Sequence, residues 1–151
     1  MHLTEFTDYS IRVLIYLHLN NNKKATIKNI AEYYDISRNH LVKVVHNLST
    51  LGYIKSEKGK GGGIRLGKAP NEINIGELIV QVEPNFNLVG CFNSSGPQCK
   101  IEGVCSLKMI LRKATTNFIN ELKQYTLADA VRSDRLDTWS DNYFVKNQNA
   151  Q

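Results

Sequence analysis

A run of glycine and lysine near the middle of the chain limits the folds that this sequence can adopt. The letters KGKGGG fill positions 58–63, between two short segments of strand-forming residues at 53–57 and 64–66. Glycine has no side chain to pack in a core, and it adopts the backbone angles of tight turns at little cost. The pattern therefore predicts a two-stranded β-hairpin with a flexible, positively charged tip.

Three helices are predicted before this hairpin. Apolar residues recur at helical spacing from position 3 to position 19, and Thr26 and Ser37 are favourable N-caps for the second and third helices. Gly52 stands where a residue with left-handed backbone angles would end the third helix. Three helices followed by a hairpin are the element order of a winged helix–turn–helix. The third helix has one apolar stripe, which consists of Leu41, Val44, Val45 and Leu48.

The second half of the chain is predicted to add a short helix, a long helix and a closing helix. Asn74 and Glu77 form a capping-box pattern at the start of the short helix, and Thr126 opens the closing one. The long helix begins at Cys105, and its broad apolar face needs a partner. We expect a homodimer helix, with docking inside its own subunit as the alternative. The apolar face consists of Leu107, Ile110, Leu111, Ala114, Phe118, Ile119, Leu122 and Tyr125.

Positive charge is concentrated in the first half of the chain. Residues 1–70 contain 11 Lys and Arg against 5 Asp and Glu, whereas residues 71–151 contain 8 against 9. This asymmetry is typical of a chain whose first half meets a polyanion, although a solvated basic face would produce it too. Arg, Asn and Lys in the third helix can bond base edges in a DNA major groove, and basic residues beside glycines can approach phosphates. The candidate DNA-binding residues are Ser37, Arg38, Asn39, Lys43, His46, Lys58, Lys60 and Arg65.

Nucleotide binding and ordinary enzyme chemistry are both disfavoured. A P-loop requires Ser or Thr after its lysine, but Gly61 follows Lys60, and Ile64 breaks a GxGxxG pattern. The four histidines stand beside neither a nucleophile nor a pair of carboxylates. We therefore expect a protein that is not an enzyme.

These elements predict a mainly α fold with a small β-hairpin, arranged as a winged helix–turn–helix plus a long dimerisation helix. Residues 1–70 are expected to form the DNA-binding region, and residues 71–104 a connecting helix and a cysteine-bearing loop. Residues 105–140 would hold the dimerisation and closing helices, and residues 141–151 a disordered tail. No apolar run is long enough to span a membrane and no secretory signal is recognisable, so we expect a cytoplasmic protein with no membrane partner.

The three cysteines, Cys91, Cys99 and Cys105, fall in one short stretch. An odd number cannot form a closed set of disulfides within one chain, and clustered thiols in a cytoplasmic protein are typical of a metal or redox centre. The spacing lacks the C-x2-C pairs of a zinc ribbon, whereas three thiolates suit an iron–sulfur cluster that takes one further ligand. Structural zinc and free thiols remain the alternatives.

The sequence resembles the winged-helix iron–sulfur regulators over about residues 1–132. The resemblance rests on LTEFTDYSIR at 3–12, GGGIRL at 61–66, IGE at 75–77 and the three cysteines. Within that family the chain is most similar to the nitric oxide-sensitive repressors. The branch that regulates cluster assembly carries a histidine just beyond its last cysteine, whereas residues 106–108 here read SLK.

The resemblance implies a cofactor and a mechanism. One cluster per subunit, with [4Fe–4S] favoured over [2Fe–2S], would be held by Cys91, Cys99, Cys105 and Asp8 of the partner subunit, and Arg12 would orient that aspartate. A homodimer would bind a roughly palindromic operator and release it when nitric oxide nitrosylates the cluster. Two alternatives stay open: a regulator of the same family that senses iron or redox status, and a zinc- or thiol-stabilised structural or interaction protein without sensing.

Overall fold

The computed structural model describes residues 2–21, 23–57, 59, 61–93, 95 and 99–132. Three helices and a hairpin come first: α1 (Glu5–Leu19), α2 (Ile27–Tyr34), α3 (Arg38–Thr50), β1 (Ile54–Glu57) and β2 (Gly63–Leu66). Three further helices follow: α4 (Ile75–Val82), α5 (Ser106–Leu122) and α6 (Leu127–Ala130). Short 3-10 turns occupy Pro70–Glu72, Gly90–Phe92 and Glu102–Val104. This architecture confirms the predicted mainly α class with a small hairpin.

Local capping explains where most helices begin. Thr26 and Thr126 start α2 and α6 with both hydrogen bonds of a capping box. The first helix starts at Glu5, later than the apolar pattern predicts, because the Thr4 hydroxyl accepts a hydrogen bond from the amide of Thr7 at 3.3 Å. Ser37 occupies the N-cap position of α3 without a side-chain hydrogen bond. Cap chemistry in the sequence therefore fixes most starts to within two residues.

The apolar core lies between the winged region and α4, with α1 at its centre. One face of α1 is buried, and this helix packs against α3, α4 and β2. Each fully buried aliphatic side chain contributes about 2 kcal/mol to folding. The largest fully buried side chains are Leu14, Leu17, Ile30, Leu41, Leu48, Ile54, Ile73, Leu78, Ile79 and Leu127.

The hairpin is fixed to the connection between α1 and α2. Its strands are antiparallel, with Ile54 opposite Leu66 and Glu57 opposite Gly63. Ala25 adds a further bridge, since its amide donates to the Ile64 carbonyl at 2.9 Å and its carbonyl accepts from the Ile64 amide at 2.8 Å. The base of this hairpin, which is the wing of the fold, is therefore fixed to the connection between α1 and α2.

The C-terminal end of α5 is tightly joined to the start of α4. Asn74 pairs with Thr126 in an isolated bridge, and its side-chain amide donates to the Lys123 carbonyl at 2.7 Å. The amide of Leu127 donates to the Ile73 carbonyl at 2.8 Å. The Asn74 side chain also accepts a hydrogen bond from the Glu77 amide at 3.0 Å, which is one half of the predicted capping box; the return bond from the Glu77 side chain is not formed.

The first half of α5 carries apolar side chains that are open to solvent. The exposed fractions of Leu107, Met109 and Ile110 are 59%, 67% and 62%, and α5 has no buried residue. Toward the other end of the helix, Ile119 and Leu122 are half-buried against the core. The homodimer helix and docking inside the same subunit both stay predictions. None of the helices in the described part of the chain has the length and apolar character needed to cross a membrane.

Glu83, at the end of α4, holds the first turn of α1. Its Oε2 atom accepts hydrogen bonds from the Thr4 amide at 3.0 Å, the Thr4 hydroxyl at 3.0 Å and the buried Thr7 hydroxyl at 2.6 Å. A carboxylate at a helix N-terminus satisfies donors that the helix itself leaves free and complements the positive end of the helix dipole. The segment that leads to the cysteines is thereby fixed to α1.

We expect Gly76→Ala to lower the free energy of unfolding by about 1–3 kcal/mol. A Cβ atom at this position would lie 2.5 Å from Cγ and 2.6 Å from the amide nitrogen of Lys123, so the junction of α4 and α5 would have to open. Urea denaturation followed by circular dichroism measures the change. Gly103→Ala is the matched control, because nothing lies within 4 Å of its Cβ position; equal loss in both variants would contradict the account.

Glu83→Gln should lower the free energy of unfolding by about 1–3 kcal/mol, because a charged acceptor with three donors becomes a neutral amide. The same denaturation experiment measures it. Glu32→Gln serves as control, since Glu32 makes only a solvent-exposed ion pair with Lys28 at 3.6 Å, a type of contact that contributes little. A Glu83 variant as stable as the control would refute the role given to this carboxylate.

Candidate nucleic-acid interface and metal centre

The third helix presents its predicted DNA-binding residues to solvent. Leu41, Val44 and Leu48 are buried on the inner side of α3. The candidate residues Ser37, Arg38, Asn39, Lys43 and His46 are all exposed. Their side chains can therefore reach a groove of DNA while the opposite face of the helix stays in the core.

An aromatic contact that the sequence did not indicate holds the start of α3 against α1. The rings of Tyr9 and His40 stack with centroids 6.3 Å apart and an interplanar angle of 28°. Phe6, Lys43 and Val44 help to line a cavity of about 170 Å³ beside this stack. Tyr9 directly follows Asp8 in the chain, so the backbone of α1 beside Asp8 is held against α3, the candidate recognition helix.

The wing carries a network of charges. The Glu57 carboxylate forms ion pairs with Lys24 Nζ at 2.5 Å and with Arg65 Nε at 3.4 Å. The hydrogen bond from Lys24 lowers the pKa of Glu57. Lys55 stands opposite Arg65 on the hairpin. Of the predicted wing contacts, Arg65 is half-buried in this network, whereas Lys58 and Lys60 lie outside the described residues. Sequence reasoning missed Lys24 and Glu57, which are close only in the fold.

All three cysteines are free thiols and half-buried. Cys91 lies in the 3-10 turn Gly90–Phe92, and Cys105 occupies the N-cap position of α5. The Cys99 carbonyl accepts a hydrogen bond from the Glu102 amide at 3.0 Å. An ion pair between Glu102 and Lys108 further ties the segment to α5. The cysteines therefore belong to one segment that is attached to the start of the long helix.

The donors have the right chemistry for iron and sulfur, but one chain does not gather them. Within the described residues, no three His, Cys, Asp or Glu side chains lie close enough to hold a metal ion together. Three thiols without disulfides are the usual ligands of an iron–sulfur cluster, and the positive end of the α5 dipole favours negative charge at Cys105. A fourth ligand would have to come from elsewhere.

Asp8 lies on α1, away from the cysteine segment in sequence, and is paired with Arg12. Arg12 Nε lies 2.8 Å from Asp8 Oδ2, and both side chains are 45% exposed. The hydrogen bond from Arg12 to Asp8 raises the pKa of the guanidinium. Arg12 and Asp8 are therefore in direct contact on a partly exposed surface of α1, and the orienting role of Arg12 stays a prediction.

Comparison with protein families and relatives identifies the class of protein. The family model Rrf2, described as an iron-dependent transcriptional regulator, matches residues 3–133. The HTH-type transcriptional regulator NsrR of Bacillus licheniformis is 51% identical over 132 residues, which cover 87% of this chain and 92% of the relative. NsrR of Bacillus subtilis (strain 168) is 47% identical over 134 residues, covering 88% and 92%. The resemblance drawn from the sequence is confirmed.

Solved structures share the fold at lower identity. IscR from T. potens has a TM-score of 0.67 with 22% identity and covers 87% of both chains. Staphylococcus aureus CymR has a TM-score of 0.68 with 21% identity, covering 86% of this chain and 98% of its own. These likenesses confirm the predicted winged-helix fold, and relatives that regulate transcription confirm that the chain is not an enzyme. The chain belongs to the Rrf2 family of transcriptional regulators.

Proposed function

We propose that the protein is a dimeric repressor that senses nitric oxide through an iron–sulfur cluster and then releases its operator. The observation that supports this most strongly is the position of Asp8. It lies on α1, which packs directly on the recognition helix α3, so a ligand bond at Asp8 acts next to the DNA-reading surface. Names of relatives and the iron dependence of the family support the same function.

Residues 1–70 would bind DNA. The exposed side of α3 would enter the major groove with Arg38, Asn39, Lys43 and His46, while Ser37 would contact phosphate at the start of the helix. Arg65 and the lysines of the tip, Lys58 and Lys60, would approach the backbone or the minor groove. Two copies related by two-fold symmetry would read a palindromic operator.

Dimerisation would use the solvent-facing apolar side of α5, within residues 105–140. Ile101 and Val104, exposed by 58% and 84%, continue this apolar surface to Cys105. Burying such side chains between two copies is favourable by about 25 cal/mol per Å² of apolar surface. The cysteine segment of one chain, within residues 71–104, would therefore lie at the interface, where Asp8 of the partner subunit can reach it. The proposed tail, residues 141–151, lies outside the described residues.

Cys91, Cys99 and Cys105 would hold the cluster together with Asp8 of the partner subunit, with [4Fe–4S] favoured and one cluster per subunit. When bound, the cluster supplies iron that reacts with nitric oxide. Arg12 would orient the Asp8 carboxylate by holding Oδ2. Engagement of Asp8 by the partner would fix α1, and hence α3, in the geometry that fits DNA, and its release would free them.

We expect the protein purified without oxygen to show a broad visible absorption band that nitric oxide removes. Cys99→Ala should lack the band, remain a folded dimer and lose tight, regulated operator binding. Tight operator binding by this variant that nitric oxide does not affect would contradict the proposal. Ser106→Ala, which changes an exposed neighbour of Cys105, is the control that should behave as wild type. Nitric oxide-responsive binding by Cys99→Ala would contradict the proposal. Stoichiometric zinc with no chromophore would favour a structural role, and a response to chelators or oxidants alone would favour sensing of iron or redox status.

Lys43→Ala should weaken operator binding by about 1–3 kcal/mol and relax the sequence preference, because the side chain can donate to a base edge. A duplex selected from a random-sequence pool supplies the operator, and fluorescence anisotropy at several salt concentrations measures affinity. A loss of affinity that is equal for all DNA sequences, together with a weaker dependence of affinity on salt concentration, would show that Lys43 contacts a phosphate. Lys113→Ala on α5 is the control, and unchanged binding at every salt concentration would remove Lys43 from the interface.

A further inference from the structure

Arg12 has a second partner besides Asp8. Its Cζ atom lies 5.7 Å from the centroid of the Tyr34 ring, while its Nε atom pairs with Asp8 at 2.8 Å. A guanidinium within about 6 Å of an aromatic centroid is attracted by the negative face of the ring. One side chain of α1 thus contacts both the proposed cluster ligand and a residue of α2.

Tyr34 stands at the turn between the two helices of the helix–turn–helix. It is the last residue of α2, and Asp35 follows with left-handed backbone angles (φ of 53°). The Ile36 amide donates to the Ala31 carbonyl at 3.0 Å, and Ser37 then begins α3. A displacement of Tyr34 therefore moves the turn that sets the direction of the recognition helix.

The Tyr34 ring is held by two other tyrosines. Its centroid lies 4.5 Å from that of Tyr33 and 6.4 Å from that of the buried Tyr16, both in edge-to-face geometry. Aromatic pairs of this geometry are favourable beyond the area that they bury. Removal from solvent raises the pKa of Tyr34, so the ring stays neutral and presents a π face rather than a charge to Arg12.

We propose that the Arg12–Tyr34 contact is a positioning link that transmits the state of Asp8 to the helix–turn–helix. Tyr34 then sets how strongly the affinity for DNA responds to the state of Asp8. This rests on the proposed function in taking Asp8 as the ligand that the partner engages. When the Asp8 carboxylate is drawn toward another chain, its ion pair with Arg12 changes, and the contact of Arg12 with the Tyr34 ring changes with it. Two states that differ in this contact differ in free energy, which is what coupling between sites requires.

The strength of the Arg12–Tyr34 contact limits how much Tyr34 can change operator affinity. Cation–π pairs at partly exposed sites correspond to a change of about two- to fivefold in an equilibrium constant. We therefore expect Tyr34 to contribute a factor of this size to the response of operator affinity.

The test uses the metal-free full-length dimer and a duplex selected from a random pool. Asp8→Asn removes the charge that holds Arg12, and its effect on operator affinity is measured in the wild-type and Tyr34→Leu backgrounds. The long-range effect of the lost charge on DNA is equal in both and cancels in this double-mutant cycle. We expect the factor caused by Asp8→Asn to differ about two- to fivefold between the backgrounds, and equal factors would overturn the link.

Three further variants separate the cation–π contact from packing. Tyr33→Leu removes a ring of the same cluster while Tyr34 stays over Arg12, and it should leave the Asp8→Asn factor as in wild type. Tyr34→Phe should retain the coupling, whereas a ring-fluorinated phenylalanine at the same position keeps the shape, weakens the π face and should lose it. This shape-matched pair decides the question even where Tyr34→Leu fails to fold. Coupling that is equal for both rings would overturn the proposal.

The same variants examined with the cluster present separate the two proposals. The ratio of operator affinities before and after nitric oxide should fall about two- to fivefold in Tyr34→Leu, with the visible absorption unchanged. A wild-type protein that binds the operator equally with and without nitric oxide would defeat the proposed function, while the metal-free cycle still decides the link. A wild-type response that Tyr34→Leu fully retains would defeat the link alone.

Discussion

Burial of one face of α1 is the constraint on which the other elements depend. Val13, Leu14 and Leu17 are wholly removed from solvent, and the helix packs against α3, α4 and β2 at once. Protein interiors are close-packed, so a helix with three such neighbours cannot move without repacking them. The residues on its other sides, Asp8 and Arg12 among them, therefore project from a helix whose backbone is packed directly against the recognition helix and the wing.

The two ends of α1 are fixed by different means. At the start, the Glu83 carboxylate accepts three hydrogen bonds from the first turn, and Glu83 precedes the cysteine segment by only a few residues. Beyond the other end, the bridge between Ala25 and Ile64 joins the chain to the wing. The first turn of α1 is thus hydrogen-bonded to the end of α4, and the connection that follows α1 is hydrogen-bonded to the wing.

Features that depend on near neighbours in the chain were predictable from the sequence. Thr26, Asn74 and Thr126 cap helices by bonding amides three residues ahead, and the apolar stripe of α3 follows from helical periodicity. Contacts across long stretches of chain were not predictable, because the sequence does not say which elements meet. Glu83 with Thr4, and Lys24 with Glu57, join residues that have no pattern in common.

The candidate site likewise has parts that the sequence could predict and parts that depend on the fold. The cysteines and the exposed residues of α3 could be named from their chemical types and spacing, whereas the described part of one chain does not bring a set of metal ligands together. The pairing of Asp8 with Arg12 is local, four residues apart on one helix, and the sequence indicated it. The stacking of Tyr9 on His40 and of Arg12 on Tyr34 depends on how α1 crosses the helix–turn–helix, which only the fold determines.

Glu57 also changes how the positive charge of the first half should be counted. Lys24 and Arg65 are already paired with this carboxylate before any DNA arrives. Each phosphate that a protein neutralises releases condensed counterions, and binding gains entropy in proportion to their number. Two cations that share one internal carboxylate release fewer counterions than two free ones. In the proposed complex the wing would therefore give up some electrostatic affinity for every DNA sequence alike, and the choice of operator would depend more heavily on α3.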